Sequence, residues 1–175
     1  MDKTKKEKRT VSKISDGMKK DTRNYIPDKI YKEILTNIPF CAVDIVFLNK
    51  AKNKTLLFKR KNEPAKGIYF TIGGRLHRKE NLLECALRQA KTELNISLVP
   101  TKTVFSGIIV EHWKNSKFRV SCDNVCIFYS YILDDENITI KFDDQHSDYK
   151  WFRIDDSSLH PYIKEKIRQI LLKNK

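Results

Sequence analysis

The chain has 175 residues, which is enough for one domain with a hydrophobic core and short for two. Its hydrophobic content of 40% argues against a disordered chain, and no apolar run reaches the roughly 20 residues of a membrane-spanning helix. The net charge of +13 comes mainly from the ends, because residues 1–24 hold nine Lys and Arg against four acids and residues 159–175 hold five against one.

The basic ends and the cysteines bear on partners and location. A basic tail can contact nucleic acid through phosphates, or it can be a solvated arm without a partner. The remainder of the chain is only mildly basic, which suits a small anionic ligand as well as a polymer. No apolar block follows the Lys-rich start, so no secretory signal is predicted. Four cysteines without C-x-x-C spacing favour reduced thiols in a cytoplasmic protein over disulfides or zinc.

The first predicted elements follow a flexible basic arm at residues 1–24, which lacks periodic apolar positions. "IPDKIYKEILTNI" (26–38) predicts a short amphipathic helix with Pro27 in its first turn. "FCAVDIVFLN" (40–49) is rich in aromatic and β-branched residues and predicts a strand. "TLLFKR" (55–60) predicts the return strand of a hairpin across a polar turn.

A strand and a glycine pair come next. "IYFTI" (68–72) predicts a strand that runs into Gly73 and Gly74, where the backbone can approach a ligand or an ion because no side chain intervenes. Arg75 follows at once, and its guanidinium suits phosphate oxygens. Asp44 stands alone in the apolar strand at 40–49, so we expect it either to meet a partner or to face a ligand cleft.

A helix is predicted from Asn81 to about Leu94, because apolar residues recur there at helical spacing. Asn81 and Glu84 match a capping box, and Asn95 stands where a left-handed C-cap belongs. The charged positions of this helix have two readings. Glu84 and Arg88 can form an ordinary i,i+4 pair, or a carboxylate held near a glycine carbonyl can offer oxygens to Mg²⁺.

The second half of the chain alternates strand-like runs and ends in a helix. The strand-like runs cover residues 102–113, 118–133, 138–142 and 148–154, and the helix covers 157–174 with Pro161 near its start. His77 and His160 show no partner pattern and are expected to face solvent. These elements predict a single α/β (α+β) domain at residues 25–175, with a mixed sheet and helices packed on it.

The segment "GRLHRKENLLECALRQAKTELNI" resembles a degenerate Nudix box, whose usual pattern is G-x5-E-x7-R-E-U-x-E-E-x-G-U with U a bulky apolar residue. Six positions match it, namely Gly74, Glu80, Arg88, Ala90, Glu93 and Ile96. Three depart from it, namely Gln89, Thr92 and Asn95, where the family usually has Glu, Glu and Gly. A box that lacks these acids resembles one branch, the GDP-mannose mannosyl hydrolases.

The resemblance to that branch extends over roughly residues 26–155. "FKRKNEPAKGIYFTIGGR" is similar to its approach to the box, and "DDQHSDYKWF" is similar to its late Gln-His loop. Ile72 departs from the proline that commonly precedes the glycine pair. Asn124 or Val125 stands where the branch tends to have an aromatic residue near the sugar. The resemblance implies a Nudix-type mixed β-sheet sandwiched between helices.

The resemblance also implies an activity and a metal. Members of this branch break the bond at the anomeric carbon of a nucleotide sugar, with inversion, and release GDP and free sugar. By resemblance, the backbone carbonyl of Gly73 and the side chains of Glu93 and Gln145 would bind one Mg²⁺, with Mn²⁺ as a possible substitute. His146 would be the general base that activates water.

Further roles follow from the same resemblance. Arg60 and Arg75 would neutralise the diphosphate and assist the departure of GDP, and Arg88 would orient Glu93 or contact the diphosphate. The sugar and leaving-group side would be lined by Asp44, His112 and Tyr149. The implied partner is a small-molecule nucleotide sugar, and the protein is expected to be a cytoplasmic homodimer that binds neither membrane nor nucleic acid.

Two other functions remain open from the sequence. An ordinary Nudix diphosphatase would cut a P–O bond of a nucleoside diphosphate derivative, but it usually needs the acids that Gln89 and Thr92 replace. A non-enzymatic basic protein would bind nucleic acid or a partner with a steep salt dependence. It would have no use for Gly73, Glu93, Gln145 and His146 as a set.

Overall fold

The structure is a computed structural model that describes residues 25–142 and 144–173. The predicted basic arm at residues 1–24 lies outside the described residues, as does the end of the predicted C-terminal helix at Asn174.

Seven strands form one mixed sheet in the described part of the chain. They are β1 Phe40–Asn49, β2 Lys54–Arg60, β3 Tyr69–Phe70, β4 Ile72–Arg75, β5 Val104–Trp113, β6 Cys122–Leu133 and β7 His146–Arg153. The main order is β3-β2-β1-β6-β5, with β4 paired to β1 and β7 paired to β2. The β1–β6 pair is parallel and the other pairs are antiparallel, which confirms the predicted mixed sheet.

Among the described residues, three α-helices flank this sheet, and they are α1 Asp28–Asn37, α2 Leu82–Leu94 and α3 Pro161–Leu172. The buried residues of α2 and α3 belong to different hydrophobic clusters on opposite faces of the sheet. The predicted single α+β domain, with its sheet sandwiched between helices, is therefore confirmed. In the described ranges we find no helix with the length and apolar character that crossing a membrane requires.

Strand β1 lies at the centre and is buried on both faces from Ala42 onward. Its side chains alternate between the two cores, because successive residues of a strand point to opposite faces. Val43, Ile45 and Phe47 pack on the α2 side. Val46 and Leu48 pack on the α3 side, and the alternation places Asp44 on that same side.

The ends of α2 agree with the local sequence signals. Asn81 Oδ1 accepts from the backbone N–H of Glu84, and the Glu84 carboxylate accepts from the backbone N–H of Asn81. The predicted capping box is thus confirmed. Asn95 ends the helix in the left-handed conformation with φ 56°, as predicted.

Two sequence predictions of strands were wrong in detail. The run 68–72 does not form one strand with one partner, because β3 pairs with β2 whereas β4 pairs with β1 and includes both glycines. The run 138–142 forms no strand. Its alternating apolar side chains pack on the α2-side core, while nearby backbone carbonyls of Glu136 and Ile138 accept hydrogen bonds from Trp151 and Tyr149 instead of from a neighbouring strand.

Candidate active site

A cleft of about 600 Å³ opens beside the glycine pair. Its lining comes from α1, α2 and the strands β1 to β6 and from the loops between them. The residues that line it include Asp44, Arg60, Phe70, Thr71, Gly73, Gly74, Arg75, Gln89, Glu93, Glu111, Trp113, Asn124 and Gln145.

The residues expected to bind Mg²⁺ all line this cleft. Gly73 comes from β4, Glu93 from the buried face of α2, and Gln145 from the turn before β7. Glu93 is only 1% exposed, so its carboxylate would be expensive to bury without a compensating positive charge. A carboxylate, an amide oxygen and a backbone carbonyl are hard oxygen donors, which fit Mg²⁺ by their chemistry.

His146 lies behind this set rather than in the cleft lining. The ring is 2% exposed, and its Nε2 lies 3.7 Å from Glu93 Oε2. It packs edge-on against the Phe58 ring. His146 begins β7 and pairs with Arg60, so alternation along the strand sends Gln145 toward the cleft and the imidazole toward Glu93.

The glycine pair has a physical reason within the protein itself, beside the predicted approach to a ligand or ion. A Cβ on Gly73 would lie 2.1 Å from Asp44 Oδ1 and 2.6 Å from the backbone oxygen of Val43. A Cβ on Gly74 would lie 1.9 Å from Gln89 Nε2. Side chains of the protein itself therefore occupy the space that the glycines leave, one on each face of β4.

The three arginines have different surroundings. Arg60 and Arg75 line the cleft, and Arg60 Nε donates to the Pro64 carbonyl at 2.9 Å. Arg88 is not part of the lining. It binds Glu80 with two hydrogen bonds of 2.7 and 2.9 Å and also donates to the Arg75 carbonyl.

Glu80 is thus held by Arg88 rather than turned into the cleft. Burial opposes its ionisation, but the hydrogen bonds from Arg88 and from the backbone N–H of His77 outweigh burial and hold the pKa of Glu80 at about 2. The carboxylate is therefore charged at neutral pH. The predicted i,i+4 partner of Arg88 was Glu84, but the structure pairs Arg88 with Glu80 and uses Glu84 in the capping box.

The floor of the cleft contains a buried charged cluster around Asp44. Asp44 Oδ2 accepts a hydrogen bond from Thr71 Oγ1 at 2.7 Å and another from Lys166 Nζ at 2.6 Å. The same ammonium lies 2.9 Å from Glu111 Oε1. The sequence left open whether Asp44 meets a partner or faces a cleft, and the structure shows that it does both.

Two residues expected near the sugar lie elsewhere. His112 is exposed and its Nδ1 lies 2.9 Å from Asp123 Oδ1 on the paired strand β6. The Tyr149 hydroxyl donates to the Ile138 carbonyl, and neither Tyr149 nor His112 is part of the cleft lining. The structure therefore does not bring either residue together with Asp44.

Sequence reasoning missed the neighbours of His112 on β5. Glu111 and Trp113 line the cleft because alternation along the strand turns them to the opposite face from His112. It also missed Lys166, which shares a helix face with Ile163, Ile167 and Ile170. A lysine on an apolar helical face was the signal that could have found it, since such a charge needs a buried partner.

Comparisons with known proteins identify the family of the chain. The model of the NUDIX domain matches residues 39–173. The chain is 32% identical over 142 residues to the low-salt glycan biosynthesis protein Agl8 of Haloferax volcanii, and the match covers 79% of this chain and 86% of that protein.

Solved structures show the same fold. A MutT NUDIX hydrolase from Burkholderia pseudomallei superposes with a TM-score of 0.62 at 19% identity, over 77% of this chain and 99% of that one. The NUDIX domain of Shewanella oneidensis NrtR, solved with ADP ribose, gives a TM-score of 0.62 at 18% identity, over 87% and 95% of the two chains. The chain belongs to the NUDIX family and is a Nudix hydrolase of nucleoside diphosphate derivatives. Nudix enzymes generally use divalent metal ions, typically Mg²⁺.

Proposed function

We propose that this Nudix hydrolase cleaves a GDP-sugar, GDP-mannose or a close relative, by attack of water at the anomeric carbon, with GDP and free sugar as products. One observation carries the proposal. Within the box, Glu93 is the carboxylate that lines the cleft, because Arg88 holds Glu80, Gln89 is an amide and Thr92 is exposed. A single carboxylate suits one cation, whereas attack at phosphorus more often relies on several.

The diphosphate and the sugar of the substrate bind at two ends of the cleft, each to different residues. Arg60 and Arg75 bind the diphosphate, since guanidinium groups match phosphate oxygens in charge and geometry. Asp44 accepts a hydrogen bond from a hydroxyl group of the sugar. Gly73, Glu93 and Gln145 would hold Mg²⁺, or Mn²⁺ in its place, and the bound cation would neutralise charge on the departing GDP. The relative Agl8, which is named as a glycan biosynthesis protein, supports a sugar substrate.

His146 is the proposed general base. Its Nε2 is buried 3.7 Å from Glu93 Oε2, so it can take a proton only from water that reaches the Glu93 side of the site. We expect His146→Ala to lower kcat by about 10²-fold, a typical contribution of a general base. Lys91→Ala on the exposed side of α2 is a control for purification and folding. Unchanged turnover would remove His146 from the mechanism.

Hydrolysis in ¹⁸O-water tests the position of attack. A screen of nucleotide sugars with Mg²⁺ first identifies the substrate, and mass spectrometry then locates the label. Label in the free sugar is expected. Label in the nucleotide, with GMP and a sugar phosphate as products, would instead establish the ordinary diphosphatase reaction.

The family resemblance adds two proposals about the whole protein. We expect a homodimer, which sedimentation velocity would detect as twice the mass of the 20.7 kDa chain. We also expect a cytoplasmic location, which fractionation of the source cells would test.

A further inference from the structure

Lys166 lies on α3 and is fully buried, which is uncommon for a lysine unless its charge is paired. Its Nζ lies 2.6 Å from Asp44 Oδ2, 2.9 Å from Glu111 Oε1 and 3.3 Å from Thr71 Oγ1. The ammonium also lies 4.8 Å from the centre of the Phe70 ring. All four of these partners line the cleft, so Lys166 contacts the cleft floor from behind.

The cluster is an internal ion pair rather than a second metal site. Asp44, Glu111 and Cys126 lie close enough together to surround a cation. The ammonium of Lys166 already lies against both carboxylates. Burial acts to lower the pKa of Lys166, but Asp44, Cys126 and Glu111 outweigh it and hold that pKa above its usual value. The cluster therefore contains two carboxylates and one ammonium.

The ion pair sets the orientation of Asp44. Among the described residues, the side chain accepts hydrogen bonds from Lys166 and from Thr71, and both reach Oδ2. Oδ1 is turned toward Gly73, where a Cβ would lie only 2.1 Å from it. The oxygen next to the glycine pair is consequently left to accept a hydrogen bond from a ligand.

The same helix supports the neighbouring wall of the cleft. Glu111 Oε2 accepts a hydrogen bond from Trp113 Nε1 at 3.2 Å. The Trp113 ring stacks on His160, the N-cap of α3, with 5.4 Å between ring centres and 23° between planes. His160 was expected to face solvent, and this prediction was wrong because the ring is held between Trp113 and Phe70.

Asn124 gives an independent sign that a ligand donates hydrogen bonds here. It is 6% exposed, lines the cleft and pairs with Glu111 across β5 and β6. Its buried Oδ1 accepts no hydrogen bond from the described residues. A buried acceptor of this kind is costly unless a ligand or water satisfies it. Together with Asp44 Oδ1, it suits a ligand with hydroxyl groups.

We propose that Lys166 is a positioning residue for the sugar end of the cleft. It holds Asp44 with Oδ1 toward the ligand and holds Glu111 against Trp113, so that the C-terminal helix completes the site. The identity of the ligand rests on the proposed function, whereas the orientation of Asp44 is a property of the chain alone.

The test replaces the ammonium without leaving excess charge. Lys166→Met alone would leave two buried carboxylates uncompensated and can prevent folding. Lys166→Met combined with Glu111→Gln keeps the formal charge of the cluster at the wild-type value, and Glu111→Gln alone is its reference. Lys164→Met is the matched control, because Lys164 is exposed on the same helix.

Thermal unfolding, turnover of the GDP-sugar and binding of GDP with Mg²⁺ are then measured. We expect the double variant to fold, to bind GDP as its reference does and to lose about 10-fold or more in kcat relative to Glu111→Gln. If Lys166 serves only to balance charge, the kcat of the double variant should follow its thermal stability and equal the kcat of Glu111→Gln. That outcome would overturn the proposal.

Crystal structures of the wild type and the double variant separate this proposal from the proposed function. We expect the Asp44 carboxylate to turn away from Gly73 in the variant. If it keeps its place, Lys166 does not position it, whatever the substrate. If the wild type hydrolyses no nucleotide sugar but Asp44 turns as expected, only the proposed function fails.

Discussion

Gly73 and Gly74 are adjacent in β4, but they face different neighbours. The obstacle at Gly73 includes the Val43 backbone oxygen, which cannot move without disturbing β1, whereas the obstacle at Gly74 is the end of the Gln89 side chain. We therefore expect Gly73→Ala to lower the free energy of unfolding by about 3 kcal/mol and Gly74→Ala by about 1 kcal/mol.

Urea denaturation of the two variants measures this difference. Gly74→Ala combined with Gln89→Ala should recover stability, because the shorter side chain frees the space. Gly73→Ala should not recover stability when it is combined with Gln89→Ala. Equal losses in both single variants would mean that the close approaches do not decide the need for glycine.

Replacing the carboxylate of Glu93 by an amide tests the proposed metal-binding residues. Glu93→Gln keeps the shape of the side chain and removes its charge. We expect kcat to fall by about 10²-fold or more while the fold is retained, since loss of one stabilising group in a catalytic site has effects of that size. Binding of Mn²⁺ measured by electron paramagnetic resonance should weaken in the same variant. Thr92→Val, one residue away and exposed, serves as the control.

At the scale of secondary structure, the capping box sets the start of α2. Asn81→Ala removes the side chain that accepts from the Glu84 N–H. We expect a loss of about 1 kcal/mol in the free energy of unfolding, the usual size for such a cap. Asn81→Asp keeps the acceptor and should retain most of the stability. A thermal scan that shows no difference between the Ala and Asp variants would contradict the role of the cap.

The pair of Glu80 and Arg88 ties the same helix to the turn before it and predicts a pH dependence. The pKa of Glu80 is about 2 in the fold against an ordinary value of 4.5, so the unfolded chain takes up the proton first. Its stabilisation is complete above about pH 4.5 and is lost as the pH falls toward 2. We expect Glu80→Gln to reduce the slope of the unfolding free energy in this window.

Glu165 provides a control for that experiment. Its pairing with Arg168 also lowers its pKa to about 2, but its side chain is 37% exposed, against 11% for Glu80. Exposed ion pairs contribute little to stability. Glu165→Gln should therefore change the pH profile less than Glu80→Gln. A larger effect at Glu165 would show that burial of the pair does not control its contribution.

At the scale of the whole molecule, α3 belongs to the domain rather than to a tail. Ile163 and Ile167 pack with Leu57 and Phe70 of the sheet, and Lys166 pairs with both carboxylates of the cleft floor. A chain that ends at residue 158 would expose this cluster and leave Asp44 and Glu111 without their cation. We expect it to lose cooperative thermal unfolding, as measured by near-ultraviolet circular dichroism.

A chain that begins at residue 25 is the matched truncation. It should keep the melting temperature of the full chain, which is the outcome expected if residues 1–24 are an arm. Cooperative unfolding of the chain without α3 would instead show that the sheet and α2 form a stable unit by themselves.

The sequence by itself determined the features that depend on neighbours a few residues apart. The capping box at Asn81, the left-handed Asn95 and the strand at residues 40–49 were all predicted and confirmed. The reason is that helix caps and side-chain periodicity arise within one or two turns of the chain. Prediction from local sequence fails at residues 138–142. Their alternation of apolar residues fits a strand, but side chains of β7 satisfy nearby backbone groups instead.

Only the tertiary structure decided which residues meet in the cleft. Period-two alternation divides β5 into two faces, but it does not say which face is turned inward. The family resemblance suggested His112, whereas Glu111 and Trp113 line the site. Asp44 and Lys166 are 122 residues apart, and no local pattern links them. Their contact exists because α3 packs across the face of the sheet on which Asp44 lies, and a charge buried there must find its partner in space rather than in sequence.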